Sequence, residues 1–328
     1  MNKTSKIYVA GHSGLVGSAL MRKLQSLGYR NLIVRTHDEL DLTRQKDVED
    51  FFVEERPEYV FLVAARAGGI LANITYPADF IYQNLSIQQN VIHSAAINGC
   101  KKLLFVASAA VYSKDAPQPI SEDSLLKGEL DTGNAAYGLA KIIGIKLCEH
   151  YRRQYATDFI SLIPNNMYGF NDHYDPKTAH VLPANIRKFY EGVRDNTEQV
   201  IIWGTGNARR EFLHADDFAD ACVFLMNNYD GVEPLNVGTG TDISMRELAE
   251  MLKKISGYTG KLVFDTTKPE GVMQRLLDCS RLVSLGWKPQ INNKDGIRLT
   301  YQAYAAYAKK PANSGGGGGG KSYFHSMF

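Results

Sequence analysis

The run Lys6-Ile7-Tyr8-Val9-Ala10-Gly11-His12-Ser13-Gly14-Leu15-Val16-Gly17 decides the fold. Its first five residues read as a short apolar strand that breaks at Gly11. A helical pattern follows, from about residue 14 to 27. Glycines at 11, 14 and 17 therefore spell GxxGxxG between a strand and a helix. Glycine lets the backbone turn sharply and approach a pyrophosphate, while the helix N-terminus supplies oriented N–H groups and positive potential. A glycine triplet alone is weak evidence; strand, triplet and helix in that order are a strong dinucleotide signal.

Working outward, residues 31–35 and 59–63 read as the second and third strands. A long helix over 79–98 leads to a strand at 103–107, and a helix through Tyr137 to about Tyr155 leads to another at 158–163. Nearly all-apolar strands alternating with helices predict an α/β fold, a doubly wound parallel Rossmann sheet covered on both faces. Beyond Asn165 the rhythm changes, with Gly, Asn, Asp, Tyr and Pro crowding 165–178. Helices are expected near 183–192, 215–227 and 244–256, and strands at 200–203, 235–237 and 261–264. The predicted organisation is a cofactor domain over 1–168, with 215–240 packed back on it. A smaller interleaved α/β substrate lobe would be formed by 169–214 and 241–311. Gly315 to Gly320 and the eight residues after them read as a flexible, appended tail, so 312–328 contribute no core.

The bulk numbers narrow the function. The 328 residues exceed the usual size of one core, and 44% hydrophobic with 22% charged residues is an ordinary globular balance. A formal charge of +2 predicts no nucleic-acid or membrane partner, so any anion must be held by a local site. Cys100, Cys148, Cys222 and Cys279 are widely spaced without a CxxC pair, which predicts buried free thiols and no metal site. The chain enters its first strand too early for a signal peptide and has no membrane-length apolar run, which predicts the cytoplasm.

The chemistry is carried by Tyr137 and Lys141, four positions apart and so on one helix face. A phenol titrating near ~10 is a poor acid–base at neutral pH, and a neighbouring ammonium favours its phenolate. Ser108, at the end of an apolar strand, is placed to share a substrate oxygen with Tyr137. The second strand ends in Val34-Arg35-Thr36 with no carboxylate until Asp38. A carboxylate there would bind a ribose 2′-hydroxyl, whereas a guanidinium suits a 2′-phosphate. Arg35 therefore predicts NADP(H) over NAD(H).

GxxGxxG, the strand-end Ser and YxxxK together resemble the extended short-chain dehydrogenase/reductase family. Tyr76-Pro77-Ala78-Asp79-Phe80, His180-Val181-Leu182-Pro183, Trp203-Gly204-Thr205-Gly206 and Arg210-Glu211-Phe212-Leu213-His214 are similar to GDP-L-fucose synthase in particular, over about 5–307. The resemblance implies NADPH-dependent reduction at C4 of a GDP-linked 4-keto sugar, in a homodimer paired through the 79–98 and 137–155 helices. It implies that Ser108 and Tyr137 hold the C4 oxygen, that Tyr137 gives it a proton, and that Lys141 supports the phenolate and the nicotinamide ribose. Gly11, Ser13, Gly14, Leu15, Val16, Gly17, Ala64, Asn166 and His180 would complete the cofactor site. Lys188, Trp203, Arg210 and Arg275 would face the GDP portion, cations for a diphosphate and an indole for stacking.

One departure stands out. Where the family reads Ser-Ser-Cys-Ile-Tyr-Pro, this chain has Ser108-Ala109-Ala110-Val111-Tyr112-Ser113. Ala110 occupies the place of the cysteine that works with the histidine, here His180, in 3,5-epimerisation. Moving a proton beside a carbonyl needs a base and an acid, and a methyl group is neither. The expected activity is C4 reduction with epimerisation lost or weak. Ile74, Ala135, Ala136 and Ser113 also depart from the family and suggest a different sugar. The alternatives are a bifunctional GDP-L-fucose synthase, a 4-epimerase holding NAD tightly, and a noncatalytic NADP-binding protein. Ala109-Ala110 argues against a 4,6-dehydratase, which places an acid pair there.

Overall fold

The computed structural model describes residues 1–309, so the tail predicted over 312–328 lies outside the described residues. β1 (Ile7–Ala10), α1 (Leu15–Ser26), β2 (Leu32–Ile33), α2 (Gln45–Glu55) and β3 (Tyr59–Leu62) open the chain. Then come α3 (Ile70–Thr75), α4 (Pro77–Ile97), β4 (Lys102–Val106), α5 (Ala135–Tyr155) and β5 (Asp158–Pro164). The second half contains β6 (Asn166–Tyr168), α6 (Val181–Arg194), β7 (Gln199–Trp203), β8 (Arg209–His214), α7 (Ala215–Asn228) and β9 (Leu235–Val237). It closes with β10 (Asp242–Ser244), α8 (Met245–Ser256), β11 (Lys261–Asp265), β12 (Gln274–Arg275), α9 (Ser280–Ser284) and α10 (Asn293–Ala308).

The first sheet is wholly parallel in the order β2-β1-β3-β4-β5-β9. Its strands are apolar because helices cover both faces. On one face Phe51, Phe52, Val91 and Ile145 from α2, α4 and α5 are buried; on the other, Leu20, Phe218 and Cys222 from α1 and α7. Strand order reverses between β1 and β3, the switch point where doubly wound sheets bind ligands at their C-terminal edge. All four cysteines are buried and free.

A second core, built on Tyr168, Leu182, Ile186, Phe189, Phe212 and Leu248, sits under α6 and α8. Here β8 pairs with β6, β10 and β12, while β7 pairs with β11. α8 starts on a capping box, Ser244 accepting from Glu247 N and the Glu247 carboxylate accepting from Ser244 N. β2 is shorter than the 31–35 segment expected, and its end leaves Arg35 beyond the ladder.

Candidate active site

The glycine turn after β1 is as tight as its sequence implies. Gly11 has φ +89°, and a Cβ there would lie 2.8 Å from the Ala64 backbone. A Cβ on Gly17 would overlap the Gly11 carbonyl. Gly14 caps α1 with no side chain on the first-turn amides, so those N–H groups are left for an anion. Ser13 lies in the same turn, and Leu15 and Val16 pack their side chains into the core beneath it. Ala64, just past β3, forms the opposite wall.

Arg35 departs from the sequence expectation of a cation standing open at a strand end. Its guanidinium pairs with Glu55 at 2.5 Å and lies over the Phe51 ring. Lys6 shares the same carboxylate at 2.9 Å. Glu55, at the end of α2, is 20 residues from Arg35 in sequence. Part-exposed pairs of this kind contribute only ~0.2–1 kcal/mol, so the pairing does not bar a phosphate from competing for Arg35.

Ser108 follows β4, and its Oγ accepts from Ala110 N at 3.2 Å across a one-turn 3₁₀ helix, Ala109–Val111. α5 brings Tyr137 close enough to Ser108 for that side chain to pull the phenol pKa down. Two glycines make that approach possible. A Cβ on Gly138 would lie 2.5 Å from the Ala110 carbonyl, and one on Gly144 would enter the Phe105 ring. Phe80 of α4 packs edge-on to Tyr137, with centroids 6.2 Å apart. Lys141 is buried; its Nζ donates to the Val106 carbonyl at 2.8 Å and stands 5.7 Å from the Tyr137 ring centre.

The electrostatics differ from the simple expectation that Lys141 depresses Tyr137. Burial pushes the phenol up to about 12, and the nearby Ser108 side chain pulls the other way. Burial also lowers the Lys141 ammonium to about 7. A lysine so close to losing its charge does not bring the phenol down to neutral pH in the free protein. Tyr137 is thus held as a neutral phenol, the form that can give a proton.

Asn166 begins β6 and donates to Asn165 Oδ1 at 3.0 Å and to the Glu211 carbonyl at 3.1 Å. Arg275 is buried, and its guanidinium donates to the Ala109 carbonyl, one residue from Ser108. Arg210 donates to the Glu270 carbonyl at 2.9 Å. Burial and then the Arg275 charge lower Arg210 to about 10. Neither arginine has a carboxylate ion pair among the described residues. Lys188 of α6 donates to the Ile201 carbonyl at 2.9 Å and lies 5.3 Å above Trp203. His180 is the N-cap residue of α6; desolvation by the surrounding protein, then His173, lowers its pKa, so it is a neutral imidazole.

Sequence reasoning overlooked Glu211. This fully buried carboxylate accepts from Asn165 Nδ2, Leu277 N, Thr239 N and Gly240 N, joining the segments beside Asn166 of β6 and Arg275 of β12. It overlooked the Gly68-Gly69 turn too, although a Gly-Gly pair is a legible turn signal.

A parallel sheet, a glycine turn at its switch point and a Ser108–Tyr137–Lys141 set define an oxidoreductase of the extended short-chain dehydrogenase/reductase class. The chain belongs to the NAD dependent epimerase/dehydratase family, whose model matches residues 7–238. It is 55% identical over 303 residues to GDP-L-fucose synthase 1 of Arabidopsis thaliana, covering 92% of this chain and 94% of that one. Its fold superposes on a GDP-6-OMe-4-keto-L-xylo-heptose reductase of Campylobacter jejuni with TM-score 0.89 and 42% identity, covering 94% of this chain and 99% of the other. A GDP-mannoheptose C4 reductase of C. jejuni, with NADP bound, matches at TM-score 0.85 and 45% identity over 93% and 99% of the two chains.

Proposed function

We propose that this protein is an NADPH-dependent reductase acting at C4 of a GDP-linked 4-keto sugar, hexose or heptose, with 3,5-epimerase activity lost or weak. The observation that carries the reading is the convergence of Ser108, Tyr137 and Lys141, set beside Ala110 where the resemblance places a cysteine. The named functions of the Arabidopsis and C. jejuni proteins support a GDP-sugar substrate, and the bound NADP of one supports the cofactor.

The residues fit the cofactor. The Gly11–Gly17 cradle admits no added Cβ at Gly11 or Gly17, and the free amides of α1 suit a pyrophosphate. Ser13, Gly14, Leu15, Val16, Ala64 and Asn166 would line it, with Arg35 exchanging Glu55 for a 2′-phosphate. NADPH, when bound there, supplies the hydride. The Ser108 hydroxyl orients the C4 carbonyl oxygen, Tyr137 Oη gives that oxygen its proton, and Lys141 stabilises the phenolate left behind. Arg210 and Arg275 take the diphosphate, Lys188 and Trp203 the nucleoside end, and neutral His180 donates a hydrogen bond to the sugar. In this reading 1–168 with 215–240 form the cofactor domain, and 169–214 with 241–309 form the described part of the substrate lobe.

We infer further a homodimer through α4 and α5, on which Tyr82, Leu139 and Ile143 expose 67%, 46% and 41% of their surface. No described helix is long and apolar enough to cross a membrane, and we assign the protein to the cytoplasm.

The test is NADPH oxidation followed by absorbance with GDP-4-keto-6-deoxymannose, and with a heptose analogue. Tyr137→Phe is expected to abolish turnover while NADPH still binds. Unimpaired turnover by that variant removes Tyr137 from its role.

A further inference from the structure

The His180 imidazole makes no hydrogen bond among the described residues, so its place is set by the backbone that carries it. That backbone is held from one side by an unusual contact. Gly69 N donates to the Thr178 carbonyl at 2.8 Å. A Cβ on Gly69 would overlap the Ala179 carbonyl, and one on Gly68 would lie 3.2 Å from the Thr178 carbonyl. The Gly68-Gly69 turn is thus pressed against the two residues before His180, with no room for a side chain between.

What fixes this turn is Asn73, buried on α3. Its Nδ2 donates to the Gly68 carbonyl at 2.9 Å and to the Gly69 carbonyl at 3.0 Å, using both amide protons. Asn73 N also donates to the Gly69 carbonyl at 3.1 Å, but the Gly68 carbonyl is held by the side chain, and the Gly68–Gly69 peptide it belongs to carries the N–H that holds Thr178. On the far side, Thr178 Oγ1 bonds to His173 Nε2 at 2.6 Å and to Asp175 Oδ1 at 3.1 Å. The loop before α6 is therefore a closed turn seated on the Gly68-Gly69 platform.

We propose that Asn73 is a positioning residue that acts through His180, setting where the imidazole meets the sugar. This rests on the role given to His180 above. Loss of the Asn73 carboxamide frees the Gly68 carbonyl and leaves the Gly69 carbonyl with Asn73 N alone, at 3.1 Å; it loosens the Gly69–Thr178 hydrogen bond and lets the His180 loop drift. A displacement on the order of 1 Å at a positioning group costs roughly 10²-fold, and a loosened one less.

The experiment compares wild type with Asn73→Ala and His180→Ala, the latter also identifying the His180 Cε1–H resonance by its disappearance. In Asn73→Ala that resonance is expected to move while those of His93 and His150 stay, and kcat to fall about tenfold with the dissociation constant for NADPH within twofold of wild type. If Asn73→Ala fails to fold, Gly69→Ala, which leaves the carboxamide in place but crowds Ala179, must shift the same resonance. An unmoved His180 resonance in the folded variant, or a shift with unchanged kcat, overturns the proposal. His180→Ala turning over at the wild-type rate instead overturns the role of His180 itself, a separate result.

Discussion

Gly138 and the carbonyl of Ala110 lie so close that α5 has no room for even one methyl group between them, since a Cβ would stand 2.5 Å from the oxygen. This contact seats the Tyr137 end of α5 against the turn that follows Ser108. Gly138→Ala is expected to push α5 outward and lower kcat by roughly 10²-fold, the cost of misplacing a reacting group by about 1 Å. The variant should remain folded, because α4 and α5 keep the rest of their interface. Kinetics beside a melting curve check it; unchanged kcat contradicts the account.

Lys141 titrates at about 7 in the folded protein and near ~10.4 unfolded. Below pH 7 both states carry the proton, and the folded state bears the whole cost of burying it. Between about 7 and 10.4 the unfolded chain binds more protons, so stability rises with pH. Lys141→Met is therefore expected to raise Tm most at pH 6 and progressively less toward pH 10, while reduction is lost. An equal change at both pH values contradicts the assignment.

The same titration bears on activity. The ammonium is the useful form, and it disappears as pH rises through about 7 in the free protein. The kcat/KM for NADPH, which reports free-enzyme groups, is expected to fall above that pH with one proton's slope. A flat profile from pH 6 to 9 contradicts it.

Arg210 has no carboxylate ion pair among the described residues and is lowered to about 10 by burial and by Arg275. A diphosphate would relieve that repulsion. Arg210→Ala is expected to raise KM for the GDP-sugar roughly 30-fold or more, from the ~2–5 kcal/mol typical of a buried charge pair, with kcat changed less. Steady-state kinetics at two salt concentrations check this; an unchanged KM places the diphosphate elsewhere.

Ala110 offers a gain-of-function test. Ala110→Cys installs a titratable group next to Ser108 and is expected to increase proton exchange at C3 or C5 of the substrate at least tenfold over the parent. NMR of substrate in heavy water reads it directly.

Much of this was legible in the chain because it rests on local rules. The glycine turn, the alternation of apolar strands and helices, and the i,i+4 spacing of Tyr137 and Lys141 are short-range signals. What escaped were relationships made only by folding. Arg35 reads as an open strand end until Glu55 arrives from the end of α2. Glu211 is one acid in a strand until four donors from three distant loops converge on it. The pKa of Lys141 follows from burial, which spacing does not reveal, and so the mutual effect of Lys141 and Tyr137 came out differently from expectation. Asn73 sits in a six-residue helix too short for periodicity to detect.

The central claim is reduction without epimerisation, and one incubation tests it most directly: the protein with NADPH and GDP-4-keto-6-deoxymannose in heavy water, with absorbance and product NMR followed together. The account predicts NADPH oxidation with a product that carries no deuterium at C3 or C5. Deuterium at either carbon, entering at a rate comparable to reduction, would contradict it.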